Sequence, residues 1–191
     1  METKPLYSSI GAGKYKGKKL LLPSKESTRS TKSILKGSFF DTLQSDIISK
    51  NFIEVFGGSG SMGLEALSRG AKHAYFIEKD QQAFNVLRKN CQFIDSLATS
   101  YFKGDTFVFL PTLFSTLTCK SVFYFDPPFS IRGGMEDVYI KTMNLIASLP
   151  HSLVHLIAIE HISSLELPVS IGTYSLQKTK KFGNSSLSYY M

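Results

Sequence analysis

The chain has 191 residues, 42% of them hydrophobic and 19% charged, a globular composition with room for one well-buried domain. No long apolar run that would span a membrane occurs, and the opening METKPLYSSI lacks the apolar core of a secretory signal, which predicts a cytoplasmic protein. The net charge of +7 sits entirely in residues 1–36, where nine basic side chains meet two acidic ones; the rest balances at thirteen of each.

A basic arm on a neutral body suits a polyanion partner, although a solvated lysine-rich tail accounts for the charge equally well. Cys91 and Cys119 are far apart and have no CxxC partner, so they read as reduced thiols. His73, His151, His155 and His161 form no metal-ligand spacing, and no metal is expected.

In chain order, IGAGKYKGKKLLLP (10–23) reads as a short hairpin with Gly17 at the turn, followed by a polar loop over 24–33. Ser33 is a candidate N-cap for a helix carrying Leu35, Phe39, Leu43 and Ile47 at steps of four. FIEVF (52–56) is strand-like, and SMGLEALSR (61–69) is a helix ending at Gly70. HAYFIE (73–78) is a second strand, and Asp80 caps a helix that turns Phe84, Leu87 and Cys91 inward. TSYFK (99–103), SVFYFD (121–126) and LVHLIAIE (153–160) follow as strands with helical connections. Residues 172–191 read as two strands around Gly183–Asn184, an antiparallel hairpin at the sheet edge. The alternation predicts a doubly wound α/β protein with a mostly parallel sheet.

Two stretches carry chemistry. FGGSGSMG places Gly58, Gly60 and Gly63 in the G-x-G-x-x-G pattern between a strand and a helix, with Glu78 at the end of the next strand. Such a loop lets backbone approach a ligand, and an acid at that strand end can hold two ribose hydroxyls. NAD and S-adenosylmethionine (SAM) both use this layout. Glu54, within the preceding strand, suits the cationic groups of SAM and would repel a pyrophosphate.

The second stretch is FDPPF. Asp126 ends an apolar strand, and Pro127 and Pro128 restrict the backbone around it. A rigid carboxylate and the Pro127 carbonyl can take the two hydrogens of a planar –NH₂ while Phe129 stacks on its ring.

Together these segments resemble the RsmD family, bacterial 16S rRNA (guanine-N2)-methyltransferases of the class I SAM-dependent, Rossmann-like fold. The likeness runs through IGAGKYKGKKLLLP, Arg29-Ser30-Thr31, FFDTL, FGGSGSMGLEALSRGA, FIEKD, FDPPF and KKFGNSSLSYY. The resemblance implies a SAM site made by Glu54, Phe56, Gly57, Gly58, Ser59, Gly60, Gly63, Glu78, Lys79, Asp105 and Thr106. It implies that Asp126, Pro127, Pro128 and Phe129 hold the guanine amine. It also implies that Lys14, Lys16, Lys18, Lys19, Arg29, Thr31, Lys32 and Lys36 face 16S rRNA or the 30S particle. Residues 1–32 would be a basic RNA-binding extension, with its own small β-hairpin. Residues 33–191 would be the methyltransferase domain, with an antiparallel C-terminal strand and a monomeric chain. Ser30 stands where the family commonly has Pro, and Lys36–Gly37 replaces Arg–Glu. Transfer to adenine N6 or to a protein glutamine amide, and a non-catalytic RNA-binding role, stay open at this point.

Overall fold

Strands buried on both faces need nearly continuous apolar sequence, and the runs identified above supply it. The computed structural model describes residues 5–23, 30–128 and 136–191, without the side chains of Ser30, Thr31 and Glu136. Its strands are β1 (Leu6–Ser9), β2 (Lys19–Leu22), β3 (Asn51–Glu54), β4 (His73–Glu78) and β5 (Thr99–Lys103). These are followed by β6 (Ser121–Phe125), β7 (Val154–Ile162), β8 (Ser170–Ile171), β9 (Tyr174–Phe182) and β10 (Ser185–Tyr190). The helices are α1 (Ser30–Leu43), α2 (Ser61–Ser68), α3 (Gln81–Ile94), α4 (Thr106–Leu113) and α5 (Glu136–Ala147). Among the described residues no helix is long and apolar enough to cross a membrane.

Eight strands form one sheet in the order β5-β4-β3-β6-β7-β10-β9-β8. Strands β3 to β7 are parallel, and the C-terminal hairpin adds antiparallel beyond β7. Strand β10 lies inside the sheet, with five of its six residues buried, and the two-residue β8 closes the edge. The order of strands reverses direction at β3 and β6, so the crevice at their carboxyl ends is the topological switch point.

Side-chain alternation divides the core between the two faces. Ile53, Val55, Ile77, Phe123, Phe125, Ile157 and Ile159 meet α4 and α5 on one face. Phe52, Val122, Tyr124 and Ala158 meet α1 and α2 on the other, and Phe76 on that face joins α2, α3 and the N-terminal hairpin. On α1, Leu35, Phe39 and Leu43 are buried, with Phe39 edge-on to Tyr124 at a centroid distance of 5.4 Å.

Strand β3 ends at Glu54 and β7 runs on to Ile162, against the expected 52–56 and 153–160, and the N-terminal part also differs from the expectation. Helix α1 begins at Ser30, three residues before the candidate cap Ser33. The division between residues 32 and 33 therefore falls inside α1, and Lys32 belongs to its first turn. The hairpin pairs Leu6–Ser9 with Lys19–Leu22, which leaves Lys14, Lys16 and Lys18 on the connecting loop. The first strand escaped notice because LYSS has little apolar content of its own.

This hairpin is fastened to α2 and α3 by buried polar groups. Glu65, only 1% exposed, accepts from the backbone N–H groups of Gly11 at 2.7 Å and Ala12 at 3.1 Å. It also pairs with Arg69 at 2.8 Å and Lys36 at 3.5 Å. Gly13 has φ +82°, and a Cβ there would lie 1.7 Å from the Ser68 carbonyl. Asn90 on α3 receives the Leu21 N–H at 2.9 Å and donates to the Ser59 carbonyl at 2.8 Å, linking hairpin to glycine loop.

Removing a buried carboxylate with four partners leaves each of them unmatched. Glu65→Ala should lower stability by about 3 kcal/mol in urea unfolding and speed hydrogen exchange at the Gly11 and Ala12 amides. A loss under about 1 kcal/mol, with unchanged exchange, would show that Glu65 does not hold the hairpin.

Candidate active site

Four neighbouring strands each bring one carboxyl group to the carboxyl edge of the sheet. Glu54 on β3 is level with Phe76 on β4 and with Tyr124 on β6. Glu78 and Asp126 follow those two neighbours by two residues, so alternation turns all three towards the α1–α2 face. Tyr124 is level with Ala158, which puts Glu160 on the same face beside Asp126. The acids stand in the spatial order Glu78, Glu54, Asp126, Glu160.

Each is matched differently. One oxygen of Glu78 accepts from the Gly58 N–H at 2.7 Å and the other from the Asp80 N–H at 2.6 Å. Glu54 is 5% exposed and accepts from the Gly63 N–H at 2.8 Å, with a second backbone bond from Met62. Helix α2 has Gly60 at its N-cap and no side-chain cap of its own. Glu54 supplies that missing acceptor from the adjacent strand. Its burial pushes its pKa up from 4.5 to about 8, against the backbone donors that favour the ion.

The glycines have separate tasks. Gly60 has φ +78°, and a Cβ on it would stand 2.7 Å from Leu87; at Gly63 a Cβ would stand 2.4 Å from the Phe76 ring. These two let the loop and helix lie against the sheet. Gly58, with φ +51°, has nothing within 4 Å of a Cβ position, so its outer side opens to the crevice. Gly57 donates to the Ile77 carbonyl at 2.7 Å, Ser59 is buried, and Phe56 is edge-on to Phe107 at 6.2 Å.

Asp105 N-caps α4 by accepting from Phe107 N–H at 3.0 Å. It also pairs with Lys79 at 2.9 Å, which with the Phe107 N–H holds its carboxyl below the usual range. The Thr106 hydroxyl donates to the Val55 carbonyl. Thus Lys79 and Asp105 are partners of each other at the rim, and Thr106 ties α4 to the end of β3.

The Asp126 carboxylate receives the Lys32 ammonium at 2.5 Å. The same ammonium lies 3.5 Å from Glu160, which also accepts from the Tyr124 hydroxyl at 2.8 Å. Lys32 was expected to face RNA; here it reaches the strand ends because it shares a face of α1 with Leu35 and Phe39. Burial raises the Glu160 pKa from 4.5 to about 7, with Asp126 adding to the rise and Lys32 opposing it. Pro127 is buried and Pro128 exposed. Phe129, Arg29 and the Thr31 side chain lie outside the described residues.

The other basic residues divide into two groups. Lys36 points inward, donating to the Ser9 carbonyl at 2.9 Å and pairing with Glu65. Lys14, Lys16 and Lys19 are exposed on the hairpin, and Lys18 lies over the rings of Tyr15 at 5.0 Å and Phe93 at 5.2 Å. Sequence reasoning did not single out Glu160, Tyr124, Glu65 or Asn90. For Glu160 a signal existed, since it is the acid that follows the apolar run LVHLIAI as Asp126 follows SVFYF, although β7 itself continues to Ile162.

A family model described as "Conserved hypothetical protein 95" matches residues 9–191. The "Ribosomal RNA small subunit methyltransferase D" of Escherichia coli K12 is 31% identical over 148 residues, 75% of this chain and 71% of that protein. The chain belongs to the RsmD family. Among solved structures, yhhF of Escherichia coli is 27% identical and covers 97% of each chain at a TM-score of 0.75. SMU.776, solved as a complex with SAH, is 10% identical and covers 100% of this chain and 57% of that one at a TM-score of 0.67. The latter likeness is one of fold. This RsmD-family chain has the class I methyltransferase fold.

The Glu54 shift has a testable sign. Its folded pKa is about 8 against 4.5 ordinarily, so between those values the native state holds a proton that the unfolded chain has lost. That stabilisation is complete below about pH 4.5 and disappears as pH rises through about 8. Glu54→Gln keeps an acceptor for Gly63 but cannot ionise. Its melting temperature should therefore fall less than that of the parent between about pH 5 and 8. Parallel melting curves across this range would show that Glu54 does not titrate as described.

Proposed function

We propose that the protein transfers a methyl group from SAM to the exocyclic N2 amine of a guanine in 16S rRNA, free or within the 30S particle. The observation that carries this reading is the placement of Asp126. It ends the strand next to the glycine-loop strand, faces the same crevice as Glu54 and Glu78, and is backed by two prolines. Family membership supports the rRNA substrate class.

The residues of the crevice fit SAM. The outer side of Gly58 is open, and Glu78 is held by two backbone N–H groups where it can receive ribose hydroxyls. Glu78 and Asp126 at the crevice favour a cationic ligand and oppose a pyrophosphate. Gly57, Gly58, Ser59, Gly60 and Glu78 would hold the nucleoside end, with Asp105 and Thr106 at its rim and Glu54 behind the loop. When bound there, SAM supplies an electrophilic methyl group.

The chain's part is to hold the amine in line and to favour positive charge on its nitrogen. One oxygen of Asp126 is engaged by Lys32, so Oδ1 is the oxygen offered to an amine hydrogen. The Pro127 carbonyl, fixed between two prolines, takes the other. With both hydrogens held, the nitrogen lone pair turns out of the base plane. As the new N–C bond forms, the S–C bond to the methyl would break, with S-adenosylhomocysteine as the leaving group, and the nitrogen would lose a proton to the Asp126 carboxylate. Phe129 stacks on the base, and the exposed lysines of the hairpin loop meet phosphates. A paired base must leave its stack to reach the crevice.

Methyl transfer from isotopically labelled SAM to 16S rRNA or 30S particles tests the reading. The wild-type protein should incorporate label. Asp126→Ala should reduce turnover by about 10²–10³-fold while SAM affinity by calorimetry changes little. Full activity of the variant would remove Asp126 from the chemistry. A wild-type protein with no SAM affinity would favour a non-catalytic RNA-binding role instead.

A further inference from the structure

We propose that Lys32 is a positioning residue of the reaction, the shared counter-ion that holds Asp126 and Glu160 side by side, rather than part of the RNA-docking surface. The inference rests on reading Asp126 as the carboxylate that takes the amine. It adds two residues, Lys32 and Glu160, in a role that neither the glycine loop nor the DPPF segment contains.

The geometry begins with two carboxyl groups on adjacent parallel strands. Phe125 and Ile159 are level in the sheet, so Asp126 and Glu160 emerge next to each other. Glu160 is buried, its side chain only 2% exposed, and cannot turn to solvent. A lone pair of carboxylates in that setting would share a proton. Lys32 opposes this from α1, with its ammonium 2.5 Å from Asp126 and 3.5 Å from Glu160. The buried aromatic face of α1, through Leu35 and Phe39, fixes where the lysine stem starts.

Among the described residues, the other titratable groups around Asp126 do not supply a cation. Tyr124 on β6 spends its hydroxyl on Glu160. Tyr139 on α5 is raised to about 12 by burial, and Glu54 on β3 is a further acid. Burial works against the Lys32 charge, but Asp126 and Glu160 outweigh it and hold the ammonium above its ordinary pKa. An ammonium has no lone pair, so Lys32 is not itself a methyl acceptor. A lysine so engaged is also a poor phosphate contact, because leaving would strand two carboxylates.

Kinetics and a substrate-free titration test this together. With 16S rRNA, Lys32→Met should lower kcat by about tenfold or more while KM for RNA and its salt dependence stay within about twofold. Lys32→Arg should retain most of kcat. Adding Glu160→Gln to Lys32→Met should recover part of the loss, because the second carboxylate is then gone. In carboxyl-¹³C-labelled protein without substrate, Glu160 should titrate higher in Lys32→Met than in wild type and near the wild-type position in Lys32→Arg.

A raised KM with a salt slope smaller by about one and kcat intact would make Lys32 a phosphate contact and overturn the proposal. An increased kcat would make it an obstruction, and an unmoved Glu160 titration would remove the counter-ion role. If the wild-type protein transfers no methyl group, the reading of Asp126 fails, while the titration still reports on the ion pair.

Discussion

Four carboxyl groups on one face of one sheet edge are the constraint around which the rest of the molecule is arranged. Glu78, Glu54, Asp126 and Glu160 sit on consecutive strands of the sheet, and strand alternation turns them all towards α1 and α2. Left unmatched, such a row would repel itself and either take up protons or loosen the strand ends. The surrounding elements supply what it lacks. The glycine loop and the start of α2 lend backbone N–H groups to Glu78 and Glu54. Helix α1 lends a lysine to Asp126 and Glu160.

That division of labour explains why features far apart in the chain are needed together. Gly60 and Gly63 matter because a side chain on either would collide with Leu87 or Phe76 and lift the amides away from the acids. The N-terminal hairpin braces the outer side of the same unit. Its bonds to Glu65 and Ser68 hold α2, and Asn90 joins it to the Ser59 carbonyl in the loop. Basic residues that the family resemblance assigns to RNA therefore divide into two sets. Lys32 and Lys36 neutralise buried acids, while Lys14, Lys16 and Lys19 remain on the exposed surface.

Much of this was legible from residues alone where a local rule applied. HAYFIE and TSYFK form strands with the expected bounds, Asp80 caps α3, and the turn at Gly183–Asn184 joins the last two strands. Glycine spacing and the acid twenty residues beyond it pointed to the loop and to Glu78, but not to the 2.7 Å hydrogen bond that joins them. What stayed hidden depends on register between distant strands. Nothing in LVHLIAIE says that Glu160 stands beside Asp126, and no local pattern brings Lys32 to both. The spacing of Lys32, Leu35 and Phe39 on one helix face was present, but it points to a partner only once the sheet order is known. Glu65 was obscured in the same way, as a single acid inside an otherwise apolar helix.

The central claim is that this edge holds a planar exocyclic amine while its nitrogen is methylated. Nucleoside mass spectrometry of 16S rRNA or 30S particles treated with the purified protein and SAM reads that directly. The account predicts N2-methylguanosine as the new product; methyl on a ring nitrogen, a ring carbon or a ribose oxygen would contradict it.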